Sequence, residues 1–222
     1  MIDQSSLTAP HPALSGAGTF RQWATARLLA APLTAAAAEA GPSDFDLNPD
    51  AAPAADATAL TPAAVLVPII ARGALTMLLT ERTAHLSAHA GQIAFPGGKI
   101  EPQDAGAAAA ALREAQEETG LAPAHVTPLG YLEPYRTGTG FLITPLVALV
   151  DPAFTLKPDP SEVARVFEVP LPFLMDDANH RIDTLFWRGA DRRFYAMPYE
   201  QHYIWGATAG IIRTLYRRLF TA

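Results

Sequence analysis

A glycine-rich loop that runs directly into a carboxylate-rich helix, between residues 97 and 121, constrains this chain more than any other feature. Glu114, Glu117 and Glu118 stand at positions i, i+3 and i+4, so a helix carries all three carboxylates on one face. Like charges on one face repel by roughly 0.2–0.5 kcal/mol per pair. A hard divalent cation with oxygen ligands would best offset this repulsion.

The glycine loop contributes to the same site. Gly97 and Gly98 let the backbone approach a ligand closely, and a free carbonyl here is a further oxygen donor for a metal. Asp104 precedes the helix, where a carboxylate commonly caps the free N–H groups of the first turn. We therefore expect Asp104 to be the helix cap.

The remainder of the helix is predicted to pack on the core, with the three glutamates on a different face. Arg113 stands four residues before Glu117 and is placed to orient that carboxylate by an ion pair. Acidic clusters are usually solvated surface, but the loop, the offsets and the arginine together favour a metal site. The predicted buried stripe is Ala108, Leu112, Ala115 and Thr119.

These residues resemble a known family signature. Gly98, Asp104 and the run at 113–121, which reads REAQEETGL, resemble the Nudix box. Asp104 stands where the general pattern has glutamate, and one extra residue precedes Arg113. Both departures recur in the coenzyme A pyrophosphatase branch of the Nudix hydrolase superfamily.

The residues before the box are also similar to that branch. They are the LLTERT run at 78–83, Gly91 and the FPGG run at 95–98. Two positions depart from the branch pattern: Thr83 stands where Ser or Ala is favoured, and Ser87 replaces an arginine. Loss of the positive charge at position 87 would weaken binding of a phosphate-rich substrate.

The resemblance implies an α/β (α+β) fold, a Nudix-type α/β/α sandwich around a mixed β-sheet. It implies that Glu114, Glu117, Glu118 and the Gly97 carbonyl hold Mg²⁺ or Mn²⁺. The implied reaction is hydrolysis of a pyrophosphate bond, in coenzyme A or its derivatives. The products would be 4′-phosphopantetheine, or its acyl form, and adenosine 3′,5′-bisphosphate.

The general base is left open by the box. Glu117 or Glu118 is a candidate, and Glu162, which lies outside the box, is either a further ligand or the base. Arg113 completes the catalytic set as the orienting residue.

Substrate contacts are assigned to the nearest cations, Arg82 and Lys99, and to the Gly98 backbone. The alternatives are a Nudix enzyme for ADP-ribose or NADH and a non-catalytic nucleotide-binding module.

The chain divides into an N-terminal helical arm with a Pro/Ala-rich connector, residues 1–61, and a Nudix domain, residues 62–222. Helices are predicted from residue 19 to a break at Pro32, at 35–40, at 105–119 with Gly120 as the C-terminal cap, and at 206–220 with Arg213, Arg217 and Arg218 facing solvent. Pro68 suggests an edge strand or a bulge. We expect the arm to pack on the core; a lid or a dimer contact is the alternative. Strands are predicted at 63–71, 74–83, 91–95, 127–135, 141–150, 162–169, 181–188 and 192–198.

Composition narrows the classes of function. The net charge of −6 does not favour general nucleic-acid binding, and the absence of cysteine excludes disulfides and thiolate metal sites. The N-terminus does not resemble a secretory signal, and no apolar run approaches the roughly 20 residues of a membrane span. We therefore expect a cytoplasmic enzyme with a small nucleotide substrate, without nucleic-acid or membrane partners, and compatible with a homodimer.

Overall fold

The computed structural model describes residues 11–34, 41–52, 60–85, 90–187 and 189–221. Ser87 and the predicted helix at 35–40 lie outside these ranges. Within them, no helix is both long and apolar enough to span a bilayer. The helices are α1 (Ala17–Thr25), α2 (Ala107–Thr119), α3 (Leu171–Leu174) and α4 (Gly206–Phe220). The strands are β1 (Thr61–Ile70), β2 (Thr76–Arg82), β3 (Ile93–Ala94), β4 (Gly97–Lys99), β5 (Val126–Tyr131), β6 (Tyr135–Arg136), β7 (Phe141–Val150), β8 (Val163–Pro170), β9 (Arg181–Trp187), β10 (Ala190–Tyr199) and β11 (His202–Trp205).

The strands form two sheets. β1 lies inside an eight-stranded mixed sheet and runs parallel to β7 along its whole length. On its other side β1 pairs antiparallel with β2 at one end and with β4 at the other. β3 and β8 pair with β2, whereas β5 and β6 pair with β7. β9, β10 and β11 form a separate antiparallel sheet with β10 in the middle.

Pro68 lies in the central strand β1, so the prediction of an edge strand or bulge was wrong. The Leu66 N–H donates to the Pro96 carbonyl on the side of β4. Backbone groups two residues apart in a strand point the same way, so the Pro68 nitrogen faces that side as well. There the partner of β1 changes from β4 to β2, and the missing N–H of Pro68 falls in the gap between the two ladders.

Helices cover both faces of the large sheet, which confirms the predicted sandwich. Helix α2 packs its alanines on one face, against Ala64 and Leu66 of β1. Helices α1 and α4 contribute Phe20, Ile211 and Leu215 to the core on the other face. The carboxylate-rich helix therefore lies alone, among the described helices, on the face where β4 carries the glycine loop.

The N-terminal arm packs on the core, as its helical spacing predicted. α1 ends at Thr25, well before Pro32, and Phe20 and Ala24 are fully buried. The Trp23 indole N–H donates to the Leu219 carbonyl at the end of α4 at 2.9 Å. The boundary at residue 61 stays a prediction.

Several predicted elements change in detail. The predicted strand at 127–135 is two short strands, β5 and β6, and β11 was not predicted. The last two predicted strands are confirmed as β9 and β10, which pair as a hairpin, and α4 has its predicted bounds. The predicted strand at 91–95 shortens to β3, while the glycine loop pairs with β1 as β4.

The arginines of α4 were all predicted to face solvent. Arg217 is exposed, but Arg213 is half-buried. Arg218 forms a 2.6 Å ion pair with Glu133 and donates to the Arg27 carbonyl at 2.7 Å. Arg218 therefore joins α4 to the chain that follows α1, a contact between segments that local spacing cannot indicate.

Candidate active site

Helix α2 ends as predicted, because Gly120 is left-handed (φ 75°) and its N–H donates to the Gln116 carbonyl. The face that packs on the sheet differs from the predicted stripe, since Ala108 and Leu112 are only half-buried. Glu118 belongs to the buried face, which corrects the prediction that it projects elsewhere. The buried residues of the helix are Ala107, Ala110, Ala111, Ala115, Glu118 and Thr119.

The three glutamates therefore have three different environments. The exposed fraction of the side chain is 4% for Glu118, 17% for Glu114 and 60% for Glu117. A helical face wide enough to hold all three carboxylates spans the boundary between the core and solvent. The sequence spacing alone could not distinguish their burial.

Glu118 lies at the centre of the site. Its Oε2 accepts the Gly97 N–H at 3.2 Å, and its Oε1 lies 3.6 Å from the Arg82 guanidinium. Burial raises the pKa of Glu118 to about 7, and the charges of Glu114 and Glu162 raise it as well, whereas Gly97 and Arg82 lower it. A carboxylate in this state exchanges its proton near neutral pH or binds a cation.

Glu114 lies against the glycine loop. A side chain at Gly98 would displace the Glu114 carboxylate, so glycine lets this carboxylate lie against the loop. Burial raises the pKa of Glu114; the adjacent Arg113 lowers it, and Glu117 and Glu162 raise it. The loop and the helix thus enclose a second carboxylate beside Glu118.

Arg113 joins the helix to the loop. Its guanidinium donates to Asp104 at 2.9 and 3.0 Å, to Glu114 at 2.9 Å and to Glu117 at 3.0 Å. It also donates to the Lys99 carbonyl at 3.2 Å. The predicted ion pair with Glu117 is confirmed, and the planar fork holds two of the three glutamates at once.

Asp104 is not the helix cap, so that prediction was wrong. The residue at the cap position is Gly106, which makes no side-chain cap. Asp104 instead accepts from the Glu101 N–H at 2.8 Å and from Arg113, whose hydrogen bonds lower the pKa of Asp104. Helical side chains lean towards the N-terminus, so an arginine in the second turn reaches back to this loop.

A turn at residues 159–162 brings Glu162 towards the helix. The Asp159 N–H donates to the Glu118 carbonyl, and the Glu162 carbonyl accepts the Thr83 N–H, both at 3.0 Å. Glu162 itself is exposed, and its charge raises the pKa of Glu114 and Glu118. Sequence reasoning identified Glu162 but missed Asp159 and Thr83, whose backbone contacts leave no trace in residue type.

The predicted substrate residues are brought together only in part. Arg82 faces Glu118, and its buried Nε has no hydrogen-bond partner among the described residues. Gly98 lies in contact with the Glu114 carboxylate. Lys99 is exposed, and its carbonyl accepts a hydrogen bond from Arg113.

A divalent cation fits this site by the chemistry of its donors. No three His, Asp or Glu side chains within the described ranges are arranged as a ready-made metal cluster. Glu114 and Glu118 are nevertheless two hard oxygen donors with raised pKa values beside a loop in which glycine leaves space. Glu117 and the Gly97 carbonyl stay predicted ligands.

The chain is also similar in sequence to known proteins. The NUDIX domain model matches residues 60–186. A protein of Photorhabdus laumondii named "Uncharacterized Nudix hydrolase NudL" is 46% identical over 153 residues, which cover 69% of this chain and 82% of the relative. The protein of the same name from Escherichia coli K12 is 44% identical, with coverage of 69% and 80%.

Among solved structures, a MutT/nudix family protein from Enterococcus faecalis superposes with a TM-score of 0.48 at 18% identity. The superposition covers 73% of this chain and 63% of that one. The domain match and the two bacterial relatives show that this chain belongs to the Nudix hydrolase family.

Proposed function

We propose that the chain is a metal-dependent pyrophosphatase that cleaves coenzyme A or its derivatives into 4′-phosphopantetheine, or its acyl form, and adenosine 3′,5′-bisphosphate. One observation carries the proposal: Arg82, from the upstream stretch that resembles the coenzyme A branch, lies 3.6 Å from Glu118 of the Nudix helix. The two sequence signatures therefore meet in one site.

Arg82 is the residue we assign to the phosphates. Its side chain is about one quarter exposed, and the buried Nε lacks a hydrogen-bond partner in the described part of the chain. A guanidinium offers a planar pair of donors that suits phosphate oxygens. Lys99 and the Gly98 backbone are the further substrate contacts in this proposal.

The carboxylates are the residues we assign to the metal. Glu114 and Glu118, joined by Glu117 and the Gly97 carbonyl, would hold Mg²⁺ or Mn²⁺. When bound, such a cation neutralises charge on the pyrophosphate and lowers the pKa of water. Arg113 would keep Glu114 and Glu117 in place, since it donates to both at 2.9–3.0 Å.

Hydrolysis requires an acceptor for one proton. The oxygen of water attacks one phosphorus, the bond from that phosphorus to the bridging oxygen breaks, and a proton of the water passes to a carboxylate. Glu117 is engaged by Arg113 in an ion pair, which favours Glu118 or Glu162 as the acceptor. Glu162 is held beside the helix by the turn at 159–162.

A substrate panel tests the proposal. We expect kcat/KM to be highest for coenzyme A or acyl-coenzyme A when these are compared with ADP-ribose and NADH, with Mg²⁺ and with Mn²⁺. A highest value for ADP-ribose or NADH would overturn the substrate while keeping the chemistry. Tight binding of any of them without turnover would identify a non-catalytic nucleotide-binding module.

A variant of Arg82 tests the observation on which the proposal rests. Arg82→Ala should lower kcat/KM for coenzyme A by about 10–100-fold, since charge-assisted phosphate contacts are worth about 1.5–3 kcal/mol. Arg21→Ala, which changes an exposed arginine of α1, is the matched control and should leave the rate unchanged. Equal rates for both variants would contradict the role of Arg82.

A further inference from the structure

The three-stranded sheet ends in a strand whose outer edge has no neighbour in the described chain. β10 lies between β11 and β9, so β9 (Arg181–Trp187) is the outermost strand. An unpaired edge presents a row of backbone donors and acceptors that can pair with another strand.

The positions of the open backbone groups follow from Asn48. The Asn48 side chain accepts the Arg193 N–H and donates to the Arg193 carbonyl, both at 2.8 Å. The backbone N–H and C=O of Arg193 therefore point away from β9. The backbone groups of its cross-strand partner Thr184 point away from β10, towards the open edge. Because backbone groups alternate along a strand, the N–H and C=O of Ile182 and Phe186 also point towards the open edge. These three residues carry six open N–H and C=O groups.

Three large apolar side chains of β9 are exposed to solvent. The exposed fractions are 44% for Ile182, 50% for Leu185 and 71% for Phe186. Within the described ranges, the one other exposed large hydrophobic residue is Tyr203 at 42%, on the same sheet. Exposed apolar residues that cluster on one strand mark an interaction surface more often than exposed apolar residues that are scattered singly.

The outer strands of the large sheet are different. β5 carries Pro128 and a shift of register, and β8 carries Arg165 and Glu168. Proline, irregular pairing and charge are the usual devices that stop an edge from pairing. β9 has neither proline nor lysine, and its two charged residues, Arg181 and Asp183, lie in its first half.

We propose that β9 pairs antiparallel with β9 of a second copy of this chain, across a two-fold axis at Thr184. Thr184 then lies opposite Thr184 of the second copy, and Ile182 lies opposite Phe186 of the second copy. The two three-stranded sheets become one sheet of six strands.

This register is self-complementary. Every outward N–H of one copy faces an outward C=O of the other, so the open groups of the two copies form six hydrogen bonds. The apolar pair Ile182–Phe186 repeats on both sides of the axis. Asp183 lies opposite Leu185, and its carboxylate already accepts the Tyr203 hydroxyl at 2.5 Å within its own sheet. No like charges face each other at this register.

Sedimentation of the full chain over a range of concentrations tests the proposal. The wild type should form dimers, and Thr184→Pro, which removes a central donor that no described residue of the same chain accepts, should weaken the dimer by at least about tenfold. Thr184→Val keeps the backbone donor and is the matched control. A wild type that stays monomeric, or a dimer that Thr184→Pro leaves intact, would overturn the proposal.

Cross-linking tests the register without dependence on the proline. The chain has no cysteine, so an introduced one is unique. Opposed Cα atoms in a hydrogen-bonded antiparallel pair are about 5.5 Å apart, within disulfide range. Thr184→Cys should therefore give a disulfide-linked dimer on oxidation, whereas Leu185→Cys, equally placed for solvent but offset along the strand, should not. Equal cross-linking of the two variants, or none for Thr184→Cys, would overturn the register.

Discussion

Helix α2, which carries the three glutamates, and the hairpin of β9 and β10 are both unusual in what they bury, in opposite directions. Helix α2 buries the carboxylate of Glu118, whose side chain is only 4% exposed. In the hairpin Phe186 is 71% exposed, and no strand in the described part of the chain pairs with the outer edge of β9. Each region is unfavourable in the isolated chain, for a different physical reason.

The difference indicates what each region lacks. A buried carboxylate has lost its hydration, and binding of a cation or a proton to it offsets the free-energy cost of that loss. An open strand edge with apolar side chains lacks a surface of matching length, which a second strand supplies and a small ion does not. The comparison therefore separates a site for a small charged ligand from a site for a chain.

The largest expected effect is on catalysis. Glu118→Gln should lower the rate of pyrophosphate hydrolysis by about 10²–10⁴-fold, because it removes a proton acceptor or metal ligand while keeping the shape of the side chain. Asp50→Asn, which changes an exposed carboxylate outside the site, is the control and should be neutral. Steady-state kinetics with Mg²⁺ measure both. Full activity of Glu118→Gln would mean that burial of Glu118 serves packing alone.

The next effect is on stability without metal. The pKa of Glu118 is raised from 4.5 to about 7, so the folded chain binds more protons than the unfolded chain between these values. The free energy of unfolding should therefore fall as pH rises from about 4.5 to 7, by about 3 kcal/mol from this group.

Urea unfolding in EDTA isolates the contribution of Glu118. Glu118→Gln should be more stable than the wild type at pH 8, and the difference should close as pH approaches 4.5. Mg²⁺ should stabilise the wild type more than the variant. Parallel pH profiles for the two proteins would contradict the raised pKa.

The smallest effect concerns the other region. Asn48→Ala removes both hydrogen bonds to Arg193 and one to the Asp44 carbonyl, and should cost about 1–2 kcal/mol of stability without changing kcat. Asn48→Asp, which keeps the acceptor, should lie between the wild type and Asn48→Ala. A matching loss of kcat would mean that the two regions are coupled.

The sequence pattern predicted the bounds of long elements well, both for a helix with one buried face and for a strand buried on both faces. Strand β7 and helix α4 have the predicted bounds, and Gly120 ends α2 as a left-handed cap. Pro68 was misread because a proline in a central strand is tolerated only at a gap between ladders, and the gap is a property of the whole sheet. Asp104 was misread because a cap and a distant arginine compete for the same carboxylate.

The sequence by itself determined the glycine loop, the helix and the spacing of Glu114, Glu117 and Glu118, because a helical repeat relates neighbours along the chain directly. It also determined the family, through residue types at set distances. The tertiary structure alone decided that Glu118 is buried beside Arg82, that the turn carrying Glu162 meets the helix, and that β9 is left at an edge. Those outcomes depend on which distant segments become neighbours, and residue spacing within one segment does not encode that choice.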